Sequence, residues 1–306
     1  MQEIHNVAVW GAGAMGAYFA AQFASAPGFS TTLIASGERR ERLNRDGLIV
    51  NGQQFRIPVV DPAQADSPAD LILVALKHHQ LQEAAGQIGQ LVGETTIFVS
   101  VMNGLESEEI LAALYGKEKV LYAISLGIDA VREGNAVAYT RAGTHYFGEA
   151  NNEQISTRVS MMQRAFDRAG IRHQTPVDMT RMLWWKFMIN VGVNQASAVM
   201  GAPYGVFHSN PHAQSLMEGL MREVVTLAKI QGVNLSEQDI AEWYPVLSRL
   251  SPQGKTSMLQ DVEAHRKTEV EIFGGKVVAL GKTHNIPTPV NETVVQIIRV
   301  LEERGS

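Results

Sequence analysis

Short apolar runs alternate with stretches of helical period along the first 125 or so residues. Val7-Ala8-Val9-Trp10 reads as a strand, Gly11-Ala12-Gly13-Ala14-Met15-Gly16 follows it, and a helix continues to about Ser25. Thr31 to Ala35 reads as a second strand and Gly37 to Asp46 as a short charged helix. Leu48 to Gln53 with Phe55 to Val60 suggests a hairpin turning at Asn51-Gly52. Asp70 to Leu76 is apolar enough for a buried strand and leads into a helix ending near Leu91. Thr95 to Val101 is the next strand, closed by Asn103-Gly104, and Val120 to Ser125 follows another helix. Strands and helices alternating in this way build a parallel sheet covered on both faces.

The pattern changes after about Gly127. Val137 to Thr140 and His145 to Phe147 read as short antiparallel strands, Gln154 to Gly170 as a helix, and Thr175-Pro176 as a linker. From Asp178 onward nearly every window has helical period, with helices expected over 178–200, 211–232, 236–248, 255–284 and 290–303. The expected fold is α/β: a Rossmann-type doubly wound sheet over residues 1–176, then an all-helical domain over 177–306.

Composition narrows the class. A chain of 306 residues with 45% hydrophobic and 19% charged content is an ordinary globular protein with room for two cores. A net charge of −5 offers no basic footprint for nucleic acid, and Arg39-Arg40-Glu41-Arg42 is too short to alter that. The absence of cysteine excludes disulfides, thiolate metal sites and a cysteine nucleophile. His78-His79 has no further ligand at metal spacing, and none of the nine histidines forms an H-E-x-x-H pattern, so no metal is expected. The N-terminus lacks the positive region of a signal peptide, and no apolar run reaches the roughly 18–20 residues of a membrane span. A cytoplasmic protein with no membrane partner is expected.

Gly11-x-Gly13-x-x-Gly16 lies between a strand and a helix. The first glycine permits the tight turn, the second lets a pyrophosphate approach the backbone, and the third lets helix and strand pack closely. The pyrophosphate then rests on free N–H groups at the helix start. An acid commonly ends the second strand of an NAD site, but here Ala35 is followed by Ser36-Gly37-Glu38-Arg39-Arg40. Ser36 can meet a phosphate oxygen, and Arg39 or Arg40 can pair with a 2′-phosphate. NADP is expected on that ground. Glu38, able to serve a ribose hydroxyl, keeps NAD open.

Further chemistry lies at strand ends and on one helix. Lys77 and Asn103 each follow a parallel strand at its carboxyl end, where ligands of such sheets bind. Lys186, Asn190 and Asn194 recur every fourth residue in an otherwise apolar run. On an α-helix each step of four advances about 400°, giving a polar stripe about 12 Å long. A lysine and two amides on a buried face are costly unless paired, which a structural network or a ligand can each provide. Thr256 or Ser257 can cap the helix expected from 255, and Glu269 on that helix can partner the lysine. Glu271 reads as a surface acid.

The motifs G-A-G-A-M-G at 11–16, V-A-L-K at 74–77, M-N-G at 102–104, L-W-W-K-x-x-x-N-x-x-x-N at 183–194 and S-M-L-Q-D…T-E at 257–269 together resemble the ketopantoate reductase (2-dehydropantoate 2-reductase) family. The resemblance spans nearly the whole chain. It implies NADPH-dependent reduction of 2-dehydropantoate to (R)-pantoate in pantothenate biosynthesis. It also implies that Gly11, Ala12, Gly13, Ala14, Met15 and Gly16 hold the pyrophosphate, that Lys77 and Asn103 contact the cofactor, and that Ala130 offers it a backbone contact. Lys186 would donate the proton, Glu269 would sit beside it, and Asn103, Asn190, Asn194 and Ser257 would bind the keto acid. Three positions depart from the family pattern. Ser36 stands where arginine is common, which shifts the 2′-phosphate contact to Arg39 or Arg40, and Tyr204 and Gly254 replace asparagines. Two alternatives follow: an NAD(H)-dependent D-2-hydroxyacid dehydrogenase acting on another 2-keto acid, and a non-catalytic NADP-binding sensor. Helical second domains of this kind often pair, so a homodimer is plausible.

Overall fold

The computed structural model describes residues 3–304, and the chain divides into two compact units, one up to Thr180 and the other from Arg181. The first is built on strands β1 (Asn6–Trp10), β2 (Ser30–Ile34), β3 (Leu48–Val50), β4 (Gln53–Phe55), β5 (Val59–Val60), β6 (Ala69–Val74), β7 (Val92–Ser100), β8 (Val120–Ile128), β9 (Val131–Glu133), β10 (Ala136–Ala138), β11 (Ala142–Gly148) and β12 (His173–Gln174). Its helices are α1 (Ala14–Ser25), α2 (Gly37–Asp46), α3 (His78–Ala84), α4 (Ser107–Tyr115) and α5 (Thr157–Arg168). Eight strands form the main sheet in the order β12-β11-β8-β7-β6-β1-β2-β5. All neighbouring pairs are parallel except β8 with β11. A second sheet runs β4-β3-β10-β9.

Alternation along each strand explains the layering, because successive side chains leave opposite faces. Val7, Val9, Leu71, Leu73, Ile97 and Val99 join Tyr18, Phe19, Phe23 and Phe166 in one core. Ala8, Trp10, Ile72, Val74 and Phe98 join Leu81, Ile88 and Leu111 in a second. Both faces are thus covered, as the near-continuous apolar strands require. Strand β1 is central: the chain first builds β2 on one side of it, then crosses to β6 on the other. The switch point of the sheet therefore lies between β1 and β6, with a crevice at their carboxyl ends.

Several sequence expectations change in detail. The stretch Phe55 to Val60 is not one hairpin arm. Residues 53–55 pair with β3 across the Asn51-Gly52 turn, whereas Val59 and Val60 run parallel to β2 in the main sheet. The segments around 137–140 and 145–147 both enter antiparallel pairs, but in different sheets: β10 with β9, and β11 with β8. The helix expected to end near Leu91 is α-helical only to Ala84 and tightens to 3-10 geometry from Ala85.

The second unit is helical: α6 (Met179–Ile189), α7 (Gln195–Met200), α8 (Tyr204–Ser209), α9 (Pro211–Ile230), α10 (Glu237–Leu247), α11 (Ser257–Glu263), α12 (Gly274–His284) and α13 (Pro289–Glu303). Helix α9 buries Met217, Leu220, Met221, Val224 and Leu227 on one face. Its start is set by Asn210, whose side chain accepts from the N–H groups of His212 and Ala213, with Pro211 in the first turn. The single helix expected over 255–284 is broken. Helix α11 ends at Glu263, His265 takes a left-handed φ of 51°, and a 3-10 turn spans Val270–Ile272 before α12. A left-handed residue cannot continue a right-handed helix, so Ser257 and Glu269 share no helix. Between α6 and α7, residues Asn190–Asn194 form a π turn, so the helix expected over 178–200 starts one residue later, Asp178 forming an isolated bridge with Asn151, and runs to Met200 without being regular.

Candidate active site

In the first unit the sequence-predicted residues gather at one edge. Strands β1, β2, β6, β7 and β8 are parallel, so the glycine loop, Ser36, Lys77, Asn103 and Ala130 all follow carboxyl ends of the same sheet. The three glycines of the loop differ physically. Gly11 has φ 105°, and a Cβ there would strike the Ala75 carbonyl at the end of β6. A Cβ on Gly16 would run into the Gly11 carbonyl. At Gly13 the nearest atom to such a Cβ is the Ala75 carbonyl oxygen, 4.0 Å away. Two glycines are thus required by the fold, and the middle one leaves open space beside the helix start. Gly13 is the N-cap of α1 and supplies no side chain to cap it. The first-turn N–H groups have no partner within the helix and suit a pyrophosphate.

The Asn103 loop is supported from below. Ser107 Oγ donates to Glu108 Oε2 (2.8 Å) and accepts from Ser100 Oγ (2.8 Å). Ser100 Oγ in turn receives the Met102 N–H (3.3 Å). These three side chains are buried. Half-buried Asn103 directly follows Met102, just before Gly104 with φ 92°. Lys77 is exposed, and its N–H donates to Gln80 Oε1 (3.1 Å) at the start of α3. His78 Nε2 lies 3.1 Å from Glu106 Oε2, which ties the Lys77 segment to the Asn103 loop.

The end of β2 separates the candidates for a 2′-phosphate. Ser36 is exposed at the N-cap of α2 and its hydroxyl makes no capping bond. Arg40 turns aside: Nη1 donates to Gln64 Oε1 (3.2 Å) and lies 3.9 Å from Asp61. Arg39 is half-buried, and burial followed by the guanidinium groups of Arg132 and Arg42 holds it below the ordinary arginine range. Burial and Arg42 depress Arg132 likewise. Arginines stay charged under such shifts; burial is the larger cause of the depression and the neighbouring guanidinium groups the smaller, a crowding that an anion relieves. Arg132 is placed firmly. Its Nε donates to Gly134 O (2.8 Å) and its Nη1 to the Ala12 carbonyl of the glycine loop (2.5 Å). Sequence reasoning does not single out Arg132. The one signal available there is its place in the Arg-Glu-Gly turn, and nothing local brings it to residue 12. An open Gly13 and a cation cluster beside the loop fit a phosphorylated dinucleotide.

In the second unit, Lys186 and Asn190 are half-buried and Asn194 is buried. The π turn alters their phasing. A helical ring closed over five residues holds more than four per turn, so Asn194 falls short of a full circle from Asn190 instead of about 40° beyond it. Ser257 is exposed in the first turn of α11. The capping role belongs to Thr256, whose Oγ1 accepts the Leu259 N–H (3.1 Å) and donates to Ser197 Oγ of α7 (3.1 Å). The start of α11 is therefore pinned one turn beyond Asn194. Glu269 is half-buried at the entry to the 3-10 turn, and Glu271 is exposed in a two-point pair with Arg299 (2.9 Å each). Tyr204 and Gly254, which both depart from the family motif, meet each other. The Tyr204 N–H donates to Gly254 O (2.9 Å), and a Cβ on Gly254 would lie 3.1 Å from the Tyr204 ring.

A Rossmann-type sheet with this glycine loop, joined in sequence to a helical unit carrying the Lys186, Asn190 and Asn194 series, is the architecture of a pyridine-nucleotide oxidoreductase. Residues 7–152 match the family model described as ketopantoate reductase PanE/ApbA, and residues 178–302 match its C-terminal counterpart. The chain belongs to the ketopantoate reductase family, a family of oxidoreductases. The 2-dehydropantoate 2-reductase of Halobacterium salinarum is 27% identical, over 98% of this chain and 100% of that protein. The fold is shared with D-mandelate dehydrogenase, solved with NADH and anilino(oxo)acetate (TM-score 0.88, 20% identity, 98% and 99% of the two chains). It is also shared with a dimeric ketopantoate reductase from Staphylococcus aureus (TM-score 0.82, 22% identity, 98% and 100%). Among the described residues no helix is long and apolar enough to cross a membrane.

Proposed function

We propose that this chain reduces the C2 carbonyl of a 2-keto acid with NADPH, and that 2-dehydropantoate, giving (R)-pantoate, is the substrate. The observation that carries the reading is the Lys186–Asn190–Asn194 series on one helix, in a chain whose other unit holds a dinucleotide loop. In this reading the first-turn N–H groups of α1 hold the pyrophosphate, Arg39 and Arg132 hold the 2′-phosphate, and Lys77, Asn103 and the Ala130 backbone hold the remainder. NADPH bound there supplies a hydride for the carbonyl carbon. Lys186 offsets the negative charge that grows on the carbonyl oxygen and donates the proton that completes the alcohol. Glu269 is assigned a place beside the lysine. Asn190 and Asn194 orient the carbonyl and a neighbouring hydroxyl without adding charge, and Asn103 reaches the same substrate. Ser257, exposed in the first turn of α11, receives the carboxylate.

A second reading changes the substrate. The Tyr204 ring against Gly254 puts an aromatic face where the family pattern has amides, which favours a 2-keto acid with a bulkier apolar side chain and, with Ser36 in the arginine position, leaves room for NADH. Steady-state assays of 2-dehydropantoate and of branched and aromatic 2-keto acids, each with NADPH and NADH, decide between the two. The first reading requires the highest kcat/KM for 2-dehydropantoate with NADPH. A best substrate with an aromatic side chain, or preference for NADH, supports the second. Cofactor binding without turnover of any keto acid returns the chain to a sensor. As in the Staphylococcus aureus relative, a homodimer is the proposed assembly.

A further inference from the structure

The π turn at Asn190–Asn194 closes on an irregular backbone bond, tighter than α, at its C-terminal end. The backbone N–H of Gln195 donates to Gly192 O, one residue short of its regular α-helical acceptor, Val191 O. The Gln195 side chain supplies Val191 instead: its Nε2 donates to Val191 O (2.8 Å) and to Asn291 Oδ1 of α13 (2.9 Å). Asn291 is fixed in turn. Its Nδ2 donates to Glu223 Oε2 (2.7 Å) and Leu220 O (3.3 Å) of α9. The Glu223 carboxylate also receives the N–H groups of Val290 (2.8 Å) and Asn291 (3.0 Å), capping α13. Gln195 and Asn291 are both wholly buried. The partners of each amide nitrogen are acceptors, so neither amide can flip without losing its bonds.

Packing holds the turn from two further sides. A Cβ on Gly192 would lie 2.5 Å from the Met221 side chain and 3.0 Å from Met217 O, so α9 presses directly on the turn. A Cβ on Gly274 at the start of α12 would strike Gln195 Oε1. That oxygen is buried and meets no donor among the described residues, which is costly for an acceptor. An amide placed only to stabilise a core would be fully satisfied or replaced by an apolar side chain. Gln195 instead spends both amide protons, one on the irregular turn and one on its anchor.

We propose that Gln195 is a positioning residue: its amide, anchored by Asn291, maintains the π turn that sets where Asn190 and Asn194 present their side chains relative to Lys186. This rests on the functional reading above, since it assigns those asparagines to the substrate. Closing the turn to a regular helix would shift the register by one residue, rotating Asn194 by about 100° relative to Lys186.

The test uses the full-length protein with Gln195→Met, which keeps the length and loses both donors, and Asn291→Leu, which removes the anchor and leaves the helix sequence intact. Wild type and variants are compared for keto-acid kcat and KM at saturating NADPH, NADPH Kd by fluorescence, and Tm, and a crystal structure of Gln195→Met is solved. The expected result is a fall of about 10–100-fold in keto-acid kcat/KM, the range of one or two lost substrate hydrogen bonds, with NADPH Kd within about twofold and the π turn replaced by α-helix. Either variant retaining wild-type kcat/KM with only a lowered Tm, or a Gln195→Met crystal structure with the π turn intact, overturns the proposal. If the wild type turns over no keto acid, the functional reading fails by itself, and the variant structure still decides whether Gln195 maintains the turn.

Discussion

Arg132 donates from Nη1 to the Ala12 carbonyl at 2.5 Å, joining the edge strand of the small sheet to a glycine loop 120 residues earlier in the chain. The bond uses one of five guanidinium protons and a second goes to Gly134, which leaves donors for a phosphate beside the loop. Arg132→Ala and Arg39→Ala should each lower kcat/KM for NADPH by about 10–100-fold, the range of a lost charge-assisted hydrogen bond. With NADH the loss for Arg39→Ala should be within about threefold. Equal losses with both cofactors would mean that these arginines serve the pyrophosphate alone, and unchanged NADPH kinetics would remove them from the site.

The glycine loop separates folding from binding. Gly16→Ala pushes a methyl group into the Gly11 carbonyl, an overpacking expected to cost about 1–3 kcal/mol or more and to lower Tm by several degrees. Gly13→Ala enters open space at φ −75°, where alanine is unstrained and restricts the unfolded chain. Its Tm should match or slightly exceed the wild type, while KM for NADPH rises by about tenfold or more. Thermal melts and cofactor titrations on the two variants read out both effects. A destabilised Gly13→Ala with normal KM would reverse the assignment.

Lys186→Ala should reduce kcat by about 10²–10⁴-fold, the usual contribution of a positioned proton donor, with NADPH Kd unchanged because the cofactor contacts proposed above all come from the first unit. Asn190→Ala and Asn194→Ala should act mainly on keto-acid KM. Pre-steady-state turnover with each variant checks the split, and a fully active Lys186→Ala would remove the lysine from the chemistry.

Asp129 gives a stability prediction with a definite sign. Desolvation alone would raise its carboxyl, but hydrogen bonds from Thr140 Oγ1, the Arg141 and Thr140 N–H groups and the Arg141 guanidinium outweigh it and bring the pKa to about 2. The unfolded carboxyl titrates near 3.9, so the folded state is favoured above that pH and the gain is lost as pH falls toward 2. The wild type should therefore melt above Asp129→Ala at neutral pH, and the gap should narrow between about pH 4 and pH 2. A gap independent of pH would assign the residue's contribution to packing. Because Asp129 precedes Ala130, the neutral-pH variant should also bind NADPH more weakly.

Much of the first unit was readable because its determinants are local. Unbroken apolar runs along Val7–Trp10 and Leu71–Leu76 report burial on both faces, and a strand followed by Gly11-x-Gly13-x-x-Gly16 carries its own steric requirements. The placement of Lys77 and Asn103 at one edge follows from parallel strands alone. The second unit was less readable. Residues on either side of His265 are all competent for helix, so nothing in the periodicity of 255–284 marks the break. A π turn and an α turn differ too little in period to be told apart over five residues such as Asn190–Asn194. Val59–Val60 is two residues long and becomes a strand only because β2 lies beside it.

By itself, then, the sequence determined the parallel sheet, its glycine loop and the order of polar residues on the Lys186 helix. These rest on side-chain period, glycine sterics and chain direction, all expressed within a few residues. Tertiary structure alone decided that Arg132 reaches Ala12, that Arg40 turns toward Gln64 and Asp61, and that Gln195 and Asn291 hold the π turn. Those outcomes depend on which distant donors and acceptors packing brings within 3 Å or so, and no local pattern carries that information.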